Sequence, residues 1–406
     1  MHDAPPARGV LTTVVYSQHS LGMGHFVRSS ALAAALAARG RVVLVNGGPP
    51  PEGAAWPMGV ERLDLPPLVM AADGQLATLD PGTTVEATLT ARRTALARVL
   101  DEVRPDAIVL EMFPFGRKKF APEILPILDR LRDAGPGRPR VVSSVRDLLV
   151  TSRRDQQGFD DQACLRANRY LDAVFVHADP AFATIDESFR PGVPLSIPVH
   201  HTGFVVPRRA PAGGADRAGV VVSAGGGVVG APLFAAALAA QPALWSEHAL
   251  AMTLVAGPLC PESVWQRLTQ EAARRPGLTL VRAVADLGVL IAQAAVSVSQ
   301  CGYNTALDVV SAGVPAVVVP FGRASEDEQL RRARRLEARG LVRVVEEQAL
   351  DGPTLAAAVA AARLAPPPPA AFDLDGADTA ARLLQALVSG GAVASSREVG
   401  ACPSAG

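Results

Sequence analysis

Residues 17–28 read SQHSLGMGHFVR, and this run holds the first side chain suited to chemistry. Gly22 and Gly24 permit a tight turn and a close backbone approach to a ligand, and His25 follows them directly. Between an apolar strand and a helix, such a histidine sits where backbone N–H groups and the helix dipole favour an anion. It is a candidate general base, or a group that orients an acceptor. The run is not a dinucleotide fingerprint, because Val27 stands where GxGxxG needs its third glycine. The plain alternative is a strand-to-helix turn with a capping histidine.

Three later turns offer binding groups. Residues 223–227 read SAGGG, so Ser223, Gly225, Gly226 and Gly227 can aim several N–H groups at one phosphate. No GK[ST] follows, which excludes a Walker A loop. Residues 299–308 read SQCGYNTALD. Gly302, Tyr303, Asn304 and Thr305 open a helix there, a second phosphate cradle, and Asp308 lies one turn on, where a carboxylate can accept from a ribose diol. Residues 320–329 read PFGRASEDEQ, and Glu326, Asp327, Glu328 and Gln329 could accept sugar hydroxyls. Each turn also reads as a ligand-free connection or a solvated acidic helix start. Glu111 closes an apolar strand and is a second candidate base, the alternative being a structural pair with Arg146. Asp286 has no further ligands at workable spacing, so no metal site is expected.

These turns need strands to hold them. Short β-branched runs alternate with Ala/Leu/Arg-rich stretches, which argues for parallel α/β units. The first half suggests strands over 11–17, 41–46, 106–111, 140–145 and 173–177, with helices over 26–39, 83–102 and 122–134. Residues 207–217 (PRRAPAGGADR) lack core formers and read as a linker. A second series has strands over 219–223, 251–256, 278–282, 295–299 and 316–320. The expected organisation is an N-terminal Rossmann-like, acceptor-side domain (1–206), the linker, and a C-terminal Rossmann-like, nucleotide-binding domain (218–365). A helix within 366–389 would return to the first domain, and 390–406 would form a flexible tail. Both domains should be doubly wound and face a central cleft.

Composition limits the partners. Over 406 residues, 39 Lys+Arg balance 39 Asp+Glu, so no surplus of cations favours nucleic acid. The only lysines are Lys118 and Lys119, so an anion would be held mainly by backbone N–H groups. The four cysteines are isolated, which excludes a zinc cluster and a disulfide framework and fits a reducing compartment. No apolar run reaches 18 residues and the polar, Pro-rich start is no signal peptide, so a cytoplasmic protein is expected.

Taken together and in order, the motifs resemble GT-B glycosyltransferases of the family-28 type, the group of the muropeptide N-acetylglucosaminyltransferase. They resemble most a bacterial branch with a SHDxxGxGHxxR-like start. Its other elements correspond here to EMFP (111–114), VRDL (145–148), VAGP (255–258) and CGYNT (301–305). The likeness covers most of residues 11 to about 362.

The resemblance implies a UDP-sugar donor, no metal and no other cofactor. It implies that Gly22, Gly24 and His25 lie near the donor phosphates and the reacting centre, and that Asp308 holds the ribose. Asp308 stands where Glu is usual, one methylene shorter. Glu328 and Gln329 correspond to a pair of glutamines on the donor sugar, and the Glu leaves that sugar open. The loop 282–291, with Val284, would hold the uracil edge. Arg28, Arg146 and Asp147 are acceptor-side candidates. The acceptor surface does not match the cell-wall enzyme; residues 117–120 (RKKF) are a small candidate for peripheral membrane contact. A UDP-sugar hydrolase or epimerase, and a non-catalytic nucleotide-sugar binding protein, remain alternatives.

Overall fold

Strands rich in Val, Ile and Leu and buried on both faces can only be covered by helices on either side, and that is how this chain folds. The computed structural model describes residues 10–19, 24–49, 56–71, 74–209, 217–322, 327–365 and 372–391. The first half contains β1 (Leu11–Ser17), α1 (Gly24–Ala37), β2 (Gly40–Asn46), β3 (Val60–Asp64), the small antiparallel pair β4 (Leu68–Met70) and β5 (Leu76–Thr78), α2 (Val85–Val103) and β6 (Ala107–Glu111). It continues with α3 (Ala121–Asp133), β7 (Arg140–Arg146), α4 (Gln156–Tyr170), β8 (Ala173–His177) and β9 (Val199–His201). Its main sheet is wholly parallel, in the order β3-β2-β1-β6-β7-β8-β9.

The second half runs β10 (Val220–Ser223), α5 (Ala231–His248), β11 (Met252–Val255), α6 (Glu262–Ala272), β12 (Leu278–Val281), α7 (Leu287–Gln293), β13 (Val296–Ser299) and α8 (Tyr303–Ala312). Then come β14 (Ala316–Val318), α9 (Glu328–Glu337), β15 (Arg343–Val344), α10 (Gly352–Arg363) and α11 (Gly376–Ser389). This sheet is also parallel, in the order β12-β11-β10-β13-β14-β15. The expected pair of doubly wound α/β domains is therefore what forms. In each sheet the order reverses beside its first strand, between β1 and β6 and between β10 and β13. Crevices for ligands open at such points, outside the carboxyl ends of the strands.

Local chemistry fixes the helix starts. Thr84, Asp155, Asp286 and Asp351 each accept a backbone N–H from the first turn of the helix they precede. The domains meet through side chains rather than a shared sheet. An aromatic cluster of Phe182, Phe204, Phe372 and Tyr303 fills the junction, with ring centroids 5.1–6.1 Å apart. Helix α11 packs on α1, burying Ala380, Ala381 and Leu384 with Phe26, Leu32 and Leu36.

The linker is less passive than its composition suggests. Arg208 pairs with Asp378 on α11, and Arg217 donates to the carbonyls of Ala312 and Gly313 at the end of α8. Residues 210–216 and 392–406 lie outside the described residues. Among the described residues, no helix is long and apolar enough to cross a membrane.

Candidate active site

Three turns converge on the N-terminus of α8. Gly302 precedes it with no side-chain cap, and a Cβ added there would meet nothing within 4 Å. From the first domain, Gly24 at the start of α1 accepts a hydrogen bond from Asn304 Nδ2 at 2.8 Å. From the second, a Cβ on Gly225 would lie 4.0 Å from Thr305 Oγ1. Gly225 and Gly227 both have positive φ, at 61° and 90°. A side chain on Gly227 would also collide with the Ala256 carbonyl, so glycine is required there. The Gly225 N–H is drawn to Ser223 Oγ at 3.1 Å, which shapes the turn. The starts of α1 and α8 and the glycine turn thus lie side by side, where free N–H groups of the first turn of α8 suit an anion, while the Gly225 and Gly227 N–H groups are spent within their own turn. Gly22 lies outside the described residues, as does Glu326.

Beside that space stands a histidine–carboxylate pair. His25 Nδ1 is 2.6 Å from Glu111 Oε1. Arg28 also binds Oε1, and Arg117 Nε lies 3.4 Å from Oε2. Burial alone would push the Glu111 carboxyl up, but the His25 contact and the Arg117 and Arg28 charges outweigh it and hold it well below the usual carboxylate range. Burial and the Arg117 charge push the His25 imidazole down to about 3, against the pull of Glu111. The ring is therefore neutral near pH 7. An ionised carboxylate can only accept, so Nδ1 carries the proton and Nε2 keeps its lone pair. The backbone is strained on both sides of this carboxylate's loop: Met112 and Arg117 are non-glycine residues at φ 61° and 57°.

The remaining candidates are placed as follows. Arg28 is buried, its guanidinium 5.3 Å from the Tyr303 ring centroid. The Tyr303 side chain is committed to the domain junction: its hydroxyl donates to the His177 carbonyl at 3.0 Å and accepts from Val205 N–H at 3.2 Å. Asp308 is buried and 2.6 Å from Arg209 Nη1. Burial pushes the Asp308 carboxyl up, against the Arg209 charge. Arg209 also pairs with Asp286 and covers Gly288, so a linker residue lies over the turn that follows half-buried Val284. Glu328 pairs with Arg146 at 3.0 Å, across the domains. Gln329 Oε1 accepts from the N–H groups of Cys301 and Phe321, both at 3.1 Å, and so ties two strand-to-helix turns together. Asp147 is not open to the cleft: both its oxygens lie 2.7 Å from the buried Arg332.

Sequence reasoning met Arg117 only within RKKF, as a membrane-contact candidate, and missed Arg209 and His177. Nothing in local spacing marks the two arginines, and His177 shows only as a polar residue closing the apolar strand AVFVH. It is fully buried, with Nε2 2.7 Å from Ser144 Oγ and Nδ1 2.9 Å from Thr202 Oγ1. Burial and the Arg28 charge push it down to about 3.

Two histidines held neutral have a consequence for pH. Their folded pKa values, about 3, lie below the unfolded value of about 6.5. Between these limits the unfolded chain binds more protons, so stability falls as pH drops from about 6.5 and is flat above it. The Glu111 shift acts in the same direction at lower pH. Urea midpoints should match at pH 7 and 8 and decline from pH 6.5 to 5. Burial also pushes His19, His200 and His201 down, so midpoints constant down to pH 5 would show that none of these five histidines is held neutral.

Comparison with known proteins agrees with the sequence motifs. Residues 221–375 match the model of the glycosyltransferase family 28 C-terminal domain. Over 69 residues the chain is 35% identical to a UDP-N-acetylglucosamine–N-acetylmuramyl-(pentapeptide) pyrophosphoryl-undecaprenol N-acetylglucosamine transferase of Solibacter usitatus. That segment is 17% of this chain and spans 19% of the relative's length. Among solved structures, a glycotransferase of kitacinnamycin superposes with a TM-score of 0.56 at 17% identity, over 93% of this chain and 94% of its own. The MurG protein of Acinetobacter baumannii gives 0.52 at 16% identity, over 93% and 98%. At such identities the likeness establishes the fold, which is GT-B.

Proposed function

We propose that this chain is a glycosyltransferase that moves a sugar, an N-acetylhexosamine or a related hexose, from a UDP-sugar to a small or carrier-linked acceptor. The reaction would run in the cytoplasm without a metal or other cofactor. The observation that carries this reading is the His25–Glu111 pair standing beside the convergent N–H groups at α8. The family-28 C-terminal domain match and the N-acetylglucosamine transferase relative support the reaction class, and the latter supports UDP as the carrier.

The mechanism follows from the geometry. His25 Nε2 would take the proton from an acceptor hydroxyl as its oxygen attacks the anomeric carbon. Glu111 holds the ring through Nδ1 and stabilises the imidazolium that forms. The bond from the anomeric carbon to the diphosphate breaks, and the charge gathering on UDP would fall on the first N–H groups of α8 and on that of Gly226, since the Gly225 and Gly227 N–H groups are bonded within their own turn. Donors already in place for that charge act without reorganisation. Glu328 and the amide nitrogen of Gln329, whose oxygen is held by two turns, would contact the donor sugar, and Asp308, held on Oδ1 by Arg209, would reach the ribose through Oδ2.

Purified protein given UDP-sugars and hydroxyl acceptors should release UDP, equally with and without a metal chelator. Release without any acceptor would favour the hydrolase alternative. Tight UDP-sugar binding without turnover would favour a binding protein. Asp308→Ala should raise the donor KM about tenfold or more, the worth of charge-assisted hydrogen bonds, with little change in kcat. An unchanged KM would remove Asp308 from the ribose site.

A further inference from the structure

The His25–Glu111 pair is surrounded by more positive charge than it uses. Arg28 and Arg117 both bind Glu111, and Arg146 at the end of β7 lies close enough to Arg117 to act on its charge. Among the described residues, the carboxylates paired with these three guanidinium groups are Glu111 and Glu328. Three positive charges therefore face two negative ones. Burial, joined by the Arg146 and Arg28 charges, pushes the Arg117 guanidinium below its ordinary value, although Glu111 opposes this. A guanidinium does not give up its proton in a protein, so the imbalance persists as unmet demand for an anion.

Hydrogen bonding points the same way. Arg117 Nη2, Arg146 Nε and Arg28 Nε are all buried without a partner. Arg28 is 2% exposed. Charged groups are rarely left with buried, unsatisfied donors, because each costs its desolvation. The loop also accepts a left-handed backbone at Arg117, at φ 57°, while bringing that side chain to Glu111. All three arginines belong to the first domain, whereas the glycine turn and the α8 N-terminus that suit a diphosphate belong to the second.

We infer that the acceptor carries an anionic group, a carboxylate or a phosphate, close to the hydroxyl that attacks, and that Arg117 and Arg146 receive it. This rests on the transfer reading above, because it takes His25 as the neighbour of the acceptor hydroxyl. Two guanidinium forks offer bidentate geometry to either anion.

The test separates the anion site from the donor site. Benzoate, phenyl phosphate and benzamide, the uncharged isostere of benzoate, are each titrated into protein saturated with UDP. At least one of the anions should bind about tenfold or more tighter than benzamide, and which one does so distinguishes carboxylate from phosphate. Arg117→Gln should abolish that preference while UDP affinity, which also reports folding, stays within about threefold. Arg146→Gln should do the same and serves if the first variant fails to fold. Equal or absent binding of anion and amide overturns the inference. So does a loss of UDP affinity in a folded Arg117→Gln protein, which would assign that guanidinium to the donor diphosphate. The binding readout needs no turnover, so failure of the transfer reading appears separately, as no UDP release with any acceptor.

Discussion

His25→Ala should lower kcat by about a hundredfold to ten-thousandfold while UDP affinity stays within about threefold of the parent protein. That range is the contribution of one well-placed general base, and three features put His25 in that class. Its Nδ1 is fixed 2.6 Å from Glu111, so the ring cannot turn away from the cleft without losing a charged partner. Its ring is neutral at pH 7, which leaves the Nε2 lone pair free, and the Glu111 contact offsets part of the burial that weakens it as a base. It lies one residue from Gly24, which bonds Asn304 at the α8 N-terminus, so a hydrogen bond ties the base's turn to the proposed leaving-group donors. Glu111→Gln is the companion measurement. It keeps an acceptor for Nδ1–H but removes the charge, so it should slow turnover less than His25→Ala. It also leaves Arg28 and Arg117 without their counter-charge, so it should lower stability more than His25→Ala, which removes one of several partners of Glu111. The acid limb of kcat/KM should fall below pH 5, not near 6.5, because His25 stays neutral until then. Turnover of His25→Ala within threefold of the parent would end its assignment as base.

The two domains were legible in the sequence because ten of the strands are short, mostly β-branched runs bounded by turn residues, whereas β3, β4, β5, β9 and β15 lack that pattern and were not foreseen. The strand expected over 11–17 and the one expected over 173–177 coincide with β1 and β8, and most of the others differ by one or two residues at an end. The positions of the glycine turns followed from that pattern, since a βα unit places them at the carboxyl ends of strands. Side-chain pairing across long separations did not follow. Asp308 looked free for a ribose, yet Arg209, 99 residues earlier in a stretch without core formers, reaches its carboxylate. Gln329 looked like a sugar contact, yet its oxygen bridges two turns. In both cases the protein partner is set by how the domains dock, and spacing along one element carries no information about that.

The same gap explains Asp147, and the structure turns it into a stability prediction. Asp147 follows β7 in the first domain and Arg332 lies on α9 in the second, 185 residues apart. The guanidinium meets both carboxylate oxygens at 2.7 Å and donates to the Cys301 carbonyl at 2.8 Å. Their side chains are 3% and 0% exposed, Arg332 first. Burial would lower the arginine pKa, but Asp147 outweighs it and holds the charge. Removing one partner of such a pair strands the other, and the cost is about 3–5 kcal/mol. Asp147→Ala should therefore lower the urea midpoint sharply, because it leaves a buried guanidinium facing the turn that opens α8. Asp147→Leu combined with Arg332→Met removes both charges and should recover most of the loss, since a well-packed apolar pair can replace a buried ion pair at little cost. The comparison also tests the acceptor-side role first expected of Asp147. A residue that binds acceptor would raise the acceptor KM in the double variant although stability returned. A clamp between β7 and the α8 turn predicts that KM returns with stability. Equal midpoints for Asp147→Ala and the parent protein would mean that the pair does not hold the domains together.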